Sequence, residues 1–590
     1  MSTEDLMNSV SNVSDDTEFY TPMPDGYIRG RCKYVVIMGT VMSGLGKGIF
    51  SSSLAKLMQD KGLKVAPIKL EGYLNVDSGT LNPFRHGEVF VLDDGMECDM
   101  DLGTYERMLQ KDLSKLNFTT SGQIYTKILS KERHGDYLGK DVQMIPHVTG
   151  EVKSRLRELA VQTEADVVFA EIGGTVGDFE NMFYIEAMRE LAYEEGPNSV
   201  CFVALTQVLE PKTLGEQKSK AAQLGIKRLM EMGIQPHIIA CRAANPVSDK
   251  VRQKIAQYTN VPLERVFSMH DCESIYVIPH MLRDSGYDFE VVKLLKLDQR
   301  INLQNERKEW LKWCDFVDRL DKVNHEINIG ITGKYTSLRD SYASIIHALE
   351  NSGTNLSTKV NIHWIDTSII NDDNVADMLK DMHGIIVPGG FGSRGAEGKI
   401  ACVKYARENA LPYLGICFGF QMAVIEYARN VCGIKDACSS EVDPDGKNAV
   451  ITILPEQKGI SGLGGNMRLG GKDVEIAKDS LACKLFNNKT SVRLRFRHRL
   501  EVEPSYIKTL TDNGLIFSGK APGEPIMQIL ELPDHPYFIG TQAHPCFNSR
   551  PLSPSPMFTG LVAAARKLAY PDQKLPTVVQ AVQEIAKRSK

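Results

Sequence analysis

Two stretches of the chain contain residues whose types and spacing are suited to chemistry. The first, Gly39-Thr40-Val41-Met42-Ser43-Gly44-Leu45-Gly46-Lys47-Gly48-Ile49, follows an apolar run and precedes a segment with helical spacing. A strand that enters a helix through a glycine loop presents backbone N–H groups and the helix dipole to an anion, and a lysine reaches the outer phosphate oxygens. The pattern predicts a phosphate site, and a glycine-rich turn of an ordinary parallel sheet is the alternative.

This loop departs from the common phosphate loop at two positions. Val41 stands where the first glycine is expected, and Gly48 replaces the Ser or Thr whose hydroxyl would hold magnesium. A metal bound here therefore needs carboxylates from elsewhere. Glu171, at the end of a later apolar run, is one candidate. An acidic cluster is either a second source of metal ligands or solvated surface: Asp93, Asp94, Glu97, Asp99 and Asp101.

The second stretch, Gly415-Ile416-Cys417-Phe418-Gly419, has the spacing of a nucleophile elbow. Its glycines permit a strained strand-to-helix turn that exposes the thiol, and the helix N-terminus is expected to lower the thiol pKa. The N–H of Phe418 and one from Gly389-Gly390 are candidates for an oxyanion hole. His544 is the candidate base, and a buried cysteine in a βα turn is the alternative.

The elements that position these residues are apolar runs separated by helical segments. They predict an α/β protein with two doubly wound parallel-sheet domains. Met1–Gly30 is polar and is predicted to be a disordered extension. The predicted boundaries then place a first domain at 31–300, a linker helix at 301–325, a second domain at 326–570 and a tail at 571–590.

Composition excludes several classes of protein. Of the 590 residues, 42% are hydrophobic and 24% charged, and the formal net charge of −5 provides no basic field for nucleic acid. No apolar run approaches the length of a membrane span, and the N-terminus is unlike a signal peptide. The twelve cysteines include no CxxC pair, so we expect reduced thiols and a cytoplasmic location.

The residues together resemble the CTP synthase family from about Lys33 to about Ala565. That family aminates UTP at the expense of ATP, and its two domains are a P-loop NTPase-like synthase domain and a class I glutamine amidotransferase domain. The resemblance rests on six long motifs: Ser43-Gly44-Leu45-Gly46-Lys47-Gly48, His86-Gly87-Glu88-Val89-Phe90-Val91, Arg133-His134-Gly135-Asp136-Tyr137-Leu138-Gly139, Glu171-Ile172-Gly173-Gly174-Thr175-Val176-Gly177-Asp178, Pro388-Gly389-Gly390-Phe391-Gly392 and Gly464-Gly465-Asn466-Met467-Arg468-Leu469-Gly470.

For the synthase domain, the resemblance implies an ATP site, a UTP site and magnesium. Lys47 and Lys69 would hold the ATP phosphates and stabilise transfer of the γ-phosphoryl group to O4 of UTP. Asp101 and Glu171 would bind Mg²⁺. The remaining implied ATP contacts are Ser43, Gly44, Leu45, Gly46, Gly48, Ile49 and Arg242. The implied UTP or CTP contacts are Ser43, Asp178, Glu180, Lys218, Lys220, Gln223 and Lys254.

For the amidotransferase domain, the resemblance implies that Cys417 attacks glutamine, with His544 as the base. Gly390, Phe418, Gln421, Glu441 and Arg499 would bind glutamine, since an arginine matches its carboxylate as a bidentate partner. His86 and Val89 would line a passage for ammonia, and Arg468 would respond to GTP as an allosteric activator. The family further implies feedback inhibition by CTP, a homotetramer and filaments.

The chain departs from the family pattern most clearly at His544-Pro545-Cys546, where the family has His-Pro-Glu and an aromatic residue precedes the histidine. A neutral thiol is a weak acceptor and cannot stabilise an imidazolium as a carboxylate does, so we expect weakened glutaminase activity. Glu71-Gly72 also replaces the usual Asp-Pro. A working CTP synthase is the main hypothesis. The alternatives are an impaired relative that acts as a filament or regulatory partner, and another ATP-dependent amidotransferase.

Overall fold

The computed structural model describes residues 22–211, 213, 215–334, 338–453 and 467–588. The chain forms two compact units: unit 1 comprises Met1–Asp77 and Leu113–Leu311, and unit 2 comprises Ser78–Asp112 and Lys312–Lys590. Each unit has its own central sheet. None of the described helices has both the length and the apolar composition needed to span a membrane.

The strands, in chain order, are β1 (Lys33–Gly39), β2 (Val65–Glu71), β3 (Phe90–Val91), β4 (Glu97–Cys98), β5 (Phe118–Thr120), β6 (Val167–Ile172), β7 (Val200–Gln207), β8 (Ile238–Ala243), β9 (Val266–His270), β10 (His325–Gly333), β11 (Thr358–Asp366), β12 (Gly384–Val387), β13 (Tyr413–Ile416), β14 (Ala437–Ser439), β15 (Asn448–Ile453), β16 (Arg468–Ile476), β17 (Ser491–His498), β18 (Leu500–Val502), β19 (Ile516–Lys520), β20 (Met527–Glu531) and β21 (Phe538–Thr541).

The α-helices, in chain order, are α1 (Lys47–Asp60), α2 (Pro83–His86), α3 (Met100–Leu109), α4 (Ser121–His134), α5 (Thr149–Gln162), α6 (Met182–Glu195), α7 (Lys220–Glu231), α8 (Asp249–Thr259), α9 (Ile278–Asp284), α10 (Tyr287–Leu294), α11 (Leu303–Asp321), α12 (Ala343–Asn355), α13 (Val375–Leu379), α14 (Ala396–Glu408), α15 (Phe418–Asn430), α16 (Leu481–Leu485), α17 (Pro504–Asp512), α18 (Pro556–Ala569) and α19 (Val578–Arg588).

The sheet of unit 1 has seven strands in the order β5-β2-β6-β1-β7-β8-β9, and its neighbours pair in parallel. The strands are continuous apolar runs because both faces of a parallel sheet are covered by helices. From the central β1 the chain builds outward on both sides, so the carboxyl ends of β2, β6, β1, β7 and β8 share one edge. Ligands bind at such an edge in doubly wound folds.

The sheet of unit 2 has nine strands in the order β11-β10-β12-β13-β21-β20-β19-β16-β17. From β11 to β21 the neighbours are parallel, which confirms the predicted doubly wound architecture. From β21 to β17 they are antiparallel, which the sequence analysis did not predict. The burial of β16 alternates over its last four residues, 473–476, as is typical of an antiparallel strand with one solvated face.

The division of the chain differs from the predicted boundaries in one large segment. Ser78–Asp112 lies within the predicted range 31–300, yet it belongs to unit 2 and supplies β3, β4, α2 and α3. Phe90 of this segment packs against Phe547 with ring centroids 4.9 Å apart. Contacts between residues so far apart in sequence leave no local pattern, so the sequence alone did not indicate this insertion.

Both predicted tails contain ordered structure. In the range 571–590, α19 is an amphipathic helix whose Ala581, Val582 and Ile585 are buried. In the extension, residues 1–21 lie outside the described residues, but Tyr27 Oη is 2.7 Å from Tyr34 Oη of β1. Pro22 O also accepts a hydrogen bond from Arg157.

Candidate active sites

The glycine loop of unit 1 connects β1 to α1 and has the backbone of an anion-binding turn. Gly44 and Gly46 have φ of 74° and 77°, in the left-handed region that favours glycine. Val41 adopts the same region with φ 74°, so the loop keeps a glycine-like backbone at the position where valine replaces glycine. The buried Lys47 begins α1, and its Nζ donates a hydrogen bond to Gly174 O at 2.6 Å.

Lys69 and Glu171 are direct neighbours on β2 and β6, with Nζ and Oε1 2.6 Å apart. Glu71 Oε1 lies 3.4 Å from the same Nζ. Glu171 is fully buried, and Glu71 approaches the backbone so closely that a Cβ at Gly173 would lie 2.6 Å from its Oε2. One lysine therefore holds two carboxylates at the carboxyl edge of the sheet.

These carboxylates suit Mg²⁺, which takes oxygen ligands and is commonly held by one or two carboxylates together with substrate phosphates. Among the described residues, no group of three or more His, Cys, Asp or Glu has the arrangement of a complete metal site. Asp101, the other predicted ligand, lies in the first turn of α3 in unit 2, where its N–H donates to Asp99 Oδ1 at 2.9 Å.

Arg242, at the end of β8, lies against the phosphate loop. Its Nη1 donates to Leu45 O at 3.2 Å, and a Cβ at Gly46 would lie 2.7 Å from the same nitrogen. An ion pair of 2.8 Å to Asp271 fixes the other side of the guanidinium. Among the predicted ATP contacts, Arg242 and the loop residues are thus assembled in one place.

The predicted UTP contacts form smaller groups along the same edge. Asp178 accepts a hydrogen bond from Thr175 N at 2.7 Å, and Gln223 is buried on α7 with its Nε2 3.0 Å from Ser219 Oγ. The remaining contacts, Glu180, Lys220 and Lys254, are exposed. A hydrogen bond from Lys218 lowers the pKa of Glu216, and the charge of Lys254 acts in the same direction, so both lysines face one carboxylate.

In unit 2, the elbow between β13 and α15 has the predicted strained geometry. Cys417 has φ of 51°, and its N–H donates to Thr541 O at 2.7 Å. A Cβ at Gly419 would lie 1.9 Å from Val387 O, and one at Gly415 would lie 2.4 Å from Tyr413 Oη. Side chains at these two positions would collide with their neighbours, which explains the Gly-x-Cys-x-Gly spacing.

Cys417 and His544 both lie beside Gly389. A Cβ at Gly389 would lie 3.1 Å from His544 Cε1 and 3.7 Å from Cys417 Cβ. The imidazole stacks on Phe547, with ring centroids 5.0 Å apart, and its buried Nε2 has no hydrogen-bond partner in the described part of the chain. Gln542 Nε2 lies 3.5 Å from Cys417 Sγ. The geometry therefore brings the predicted nucleophile and base together.

The protonation of this pair differs from the prediction. Burial raises the pKa of Cys417 to about 12, although the N–H of Phe418 lowers it. Burial and the positive charges of Arg497 and His498 lower the pKa of His544 to about 3. The predicted low thiol pKa is wrong, because desolvation disfavours the charged form more than the helix N-terminus favours it. At pH 7 the pair is a neutral thiol and a neutral imidazole.

Cys546 lines a cavity of about 120 Å³ together with Cys417, His544, Val89 and Glu88. Burial and the negative charge of Glu88 raise the pKa of Cys546 far above its usual range, so it remains a neutral thiol. Burial also raises the pKa of Glu88 to about 7, against the hydrogen bonds from Ser344. Among the described residues that line this cavity, Glu88 carries the carboxylate.

The predicted ammonia passage is represented in this cavity by Val89. His86 is exposed at the end of α2 and is not among the residues that line the cavity. No role was predicted for Glu88 from the sequence, although it lies between these two positions in the same motif.

The predicted glutamine contacts surround the elbow. Gln421 is buried, and its Nε2 donates to Leu500 O at 3.0 Å. Glu441 accepts a hydrogen bond from Gly392 N at 3.0 Å. Burial raises the pKa of Glu441, whereas the charge of Arg499 lowers it, which places the arginine nearby. Arg468 pairs with His498 across β16 and β17, and residues 464–466 of its motif lie outside the described residues.

An arginine ladder, which we define as Arg493, Arg495 and Arg497 of β17, was not predicted from the sequence. Each pairs with an acid of the Ser78–Asp112 segment: Arg493 with Asp93 at 2.9 Å, Arg495 with Glu106 at 2.7 Å, and Arg497 with Glu97 at 2.7 Å. The spacing of two was visible in the sequence and is that of one face of a strand. Asp93 and Glu97 therefore bind arginines in the structure.

The backbone of the ladder also contacts the candidate base and the candidate nucleophile. Arg495 O accepts the N–H of His544 at 2.8 Å, and Arg497 O lies 3.7 Å from Cys417 Sγ. Arg495 and Glu106 are both fully buried, and each has a second ion-pair partner: Asp112 lies 2.8 Å from Arg495, and Arg550 lies 2.6 Å from Glu106.

Comparisons with known proteins match both units. Residues 33–297 match the model of the CTP synthase N-terminus, and residues 337–564 match that of class I glutamine amidotransferases. A CTP synthase of Methanopyrus kandleri is 47% identical over 535 residues, covering 90% of this chain and 99% of the relative. A CTP synthase of Thermococcus gammatolerans is 48% identical over 539 residues, covering 91% and 99%.

Among solved structures, the glutaminase domain of Trypanosoma brucei CTPS with bound acivicin is 34% identical. It covers 42% of this chain and 97% of that chain, with a TM-score of 0.39. Since curated CTP synthases match over 99% of their length at 47% and 48% identity, the chain belongs to the CTP synthase family.

Proposed function

We propose that this protein is a working CTP synthase, which aminates UTP to CTP at the expense of ATP and takes the nitrogen from glutamine or from free ammonia. The observation that carries the proposal is the match of both units to curated CTP synthases over 99% of their length. The two sites supply the required parts: charged groups at the sheet edge of unit 1 and a nucleophile elbow in unit 2.

In unit 1, Lys47 and Lys69 bind the ATP phosphates and stabilise the charge that develops as the γ-phosphoryl group moves to O4 of UTP. Transfer converts a poor leaving oxygen into phosphate, which ammonia then displaces at C4. Ser43, Gly44, Leu45, Gly46, Gly48 and Ile49 provide the loop around the phosphates. Arg242, already fixed against that loop, lies beside the adenine.

Glu171 and Asp101 are the proposed magnesium ligands, and bound Mg²⁺ would neutralise charge on the phosphates during transfer. For UTP, Lys218, Lys220 and Lys254 supply positive charge for the triphosphate, and Gln223 supplies an amide. Asp178 and Glu180 lie toward the base and ribose. CTP, which shares the triphosphate, acts at these contacts as a feedback inhibitor.

In unit 2, Cys417 Sγ attacks the amide carbon of glutamine while His544 accepts the thiol proton. The N–H groups of Phe418 and of the Gly389-Gly390 segment hold the tetrahedral oxyanion. Collapse of this intermediate forms the thioester, and His544 returns the proton to the leaving ammonia. Water then hydrolyses the thioester to glutamate, with His544 again as the base.

Glutamine is held by Arg499 at its carboxylate, by Glu441 at its ammonium, and by Gln421 and Gly390. Because both groups are neutral before glutamine binds, the proposal requires that the proton moves from Cys417 to His544 only as the bond to glutamine forms. Val89 and His86 line the exit for ammonia. GTP activates the enzyme through Arg468. The protein is a cytoplasmic homotetramer that forms filaments.

The test is CTP formation from UTP, ATP and Mg²⁺, measured with glutamine and with ammonium chloride as separate nitrogen sources. A CTP synthase produces CTP from both. If neither source yields CTP from a protein that still melts cooperatively, the proposal is contradicted.

A further inference from the structure

Lys399 is a buried cation that the glutaminase mechanism above does not use. It lies on α14 with 2% of its surface exposed, and its Nζ donates a hydrogen bond to Pro388 O at 2.8 Å. The same nitrogen lies 5.0 Å from the ring centroid of Phe418 and would be 3.4 Å from a Cβ at Gly390. Its side chain therefore reaches the strand end and the elbow that form the proposed oxyanion hole.

The electrostatic environment of Lys399 is unusual for a structural lysine. Within the described ranges, no carboxylate lies at ion-pair distance from its Nζ. Burial and the positive charge of Lys334 lower the pKa of Lys399 to about 7, whereas Cys417 and Cys402 act in the opposite direction. Burial of an amine without a counter-ion is costly, and such groups concentrate at functional sites.

The hydrogen bond to Pro388 O has a geometric consequence at Gly389. In a planar trans peptide, the carbonyl oxygen of one residue and the N–H of the next point in opposite directions. A bond that fixes Pro388 O on the Lys399 side therefore also fixes the N–H of Gly389 on the other side. Gly389 is the residue against which both His544 and Cys417 lie.

Resting on the proposed glutaminase function, we propose that Lys399 is a positioning residue: it holds the Pro388–Gly389 peptide so that the Gly389 N–H faces the oxyanion formed on Cys417. Lys399 itself does not touch glutamine. It acts before the reaction by orienting a donor, which is where preorganised oxyanion holes obtain their effect.

The test compares Lys399→Met, which keeps length and apolar volume but removes the donor, with Lys399→Gln, which keeps an N–H donor without a charge. Lys404→Met is the matched control, because Lys404 lies on the same helix and forms a 3.5 Å ion pair with Asp372 at the surface. The readouts are kcat and KM for conversion of glutamine to glutamate, and ammonia-driven CTP formation.

We expect Lys399→Met to lower kcat for glutamine hydrolysis by about 10- to 100-fold, somewhat less than direct loss of an oxyanion donor. KM for glutamine and the ammonia-driven rate should stay within about twofold, since neither depends on the tetrahedral intermediate. On a logarithmic scale, Lys399→Gln should recover at least about a third of the kcat that Lys399→Met loses. Lys404→Met should match the wild type.

Full glutamine kcat in Lys399→Met would overturn the proposal, as would a rise in KM at unchanged kcat. Equal loss of both activities in Lys399→Met and Lys399→Gln, with a lower melting temperature, would assign Lys399 to folding and also overturn it. Failure of the proposed function is seen separately, in the wild type before any substitution: failure of the glutaminase function is absence of glutamine hydrolysis, and failure of the synthase function is absence of CTP formation from ammonia.

Discussion

The candidate active sites of unit 1 and unit 2 differ in the charge of their reactive side chains. At the sheet edge of unit 1, Lys69 is ion-paired with Glu171 and lies near Glu71. At the elbow of unit 2, Cys417 and His544 are neutral, and the buried Lys399 has a pKa near 7. Phosphoryl transfer needs charges that are present before the substrate arrives, whereas thioester chemistry moves a proton only when glutamine is bound. The same kind of fold therefore serves both reactions through the local balance of burial and ion pairing.

The largest effect is expected from removal of a charge that CTP formation requires with both nitrogen sources. We expect Lys47→Ala to lower CTP formation by about 10³-fold or more with either glutamine or ammonia, because phosphoryl transfer precedes both amination routes. Glutamine hydrolysis without nucleotides should remain, which provides the folding control. Normal turnover with ammonia would remove Lys47 from the phosphate site.

The complementary change is in unit 2. Cys417→Ala should abolish glutamine-driven CTP formation and leave the ammonia-driven rate within about twofold, since free ammonia bypasses the thioester. Both rates are measured on one preparation. If they fall together, Cys417 has a structural role and the elbow is not the nucleophile.

The proposed magnesium ligands provide a graded test. Asp101→Asn should reduce CTP formation by roughly 10- to 100-fold, and raised Mg²⁺ should recover part of it, since the phosphate loop lacks a Ser or Thr ligand. Asp99→Asn is the matched control at the N-cap position two residues earlier, where asparagine keeps the side-chain oxygen that caps the helix. An unchanged magnesium dependence in Asp101→Asn would exclude Asp101 from the site.

Cys546 tests whether unit 2 lacks a useful charge. Cys546→Glu should raise the ratio of glutamine-driven to ammonia-driven turnover by about tenfold, which corresponds to about 1.4 kcal/mol of barrier, because a carboxylate stabilises the imidazolium of His544. The charge of Glu88 affects this expectation. Cys546 is 1% exposed, and the negative charge of Glu88 contributes to raising the pKa of its thiol, so a carboxylate at position 546 would lie near a like charge.

The double variant Cys546→Glu/Glu88→Gln should therefore exceed Cys546→Glu, because it removes the like charge beside the new carboxylate. Glu88→Gln alone is the control. If neither variant raises the ratio, the missing carboxylate does not limit glutamine use.

The smallest expected effect concerns stability. Because the pKa of Glu88 is raised from 4.5 to about 7, the folded protein holds this proton where the unfolded chain has lost it. The stability of the wild type relative to Glu88→Gln should fall as pH rises from about 4.5 to about 7 and stay level above that. Chemical denaturation at four pH values measures the difference, and a constant difference would show that Glu88 is solvated.

The sequence predicted what depends on local pattern. Apolar runs indicated the parallel strands, and the glycines on either side of Cys417 indicated the strained elbow, because their spacing follows from the backbone itself. It did not predict the lowered pKa of His544 or the raised pKa of Cys417, since both shifts arise from burial by distant segments. Lys399 belongs to no motif, and only its position beneath Pro388 reveals a role.

The insertion of Ser78–Asp112 has a consequence for protein engineering and for inheritance. The chain passes from unit 1 to unit 2, back again, and then to unit 2 once more, so the two units are not sequential modules. A chimera of two such enzymes joined once near residue 311 would take Arg495 and Arg497 from one parent and their partners Glu106 and Glu97 from the other. Exchange of a whole glutaminase unit thus requires three junctions, and the arginine ladder and its acids should be inherited together.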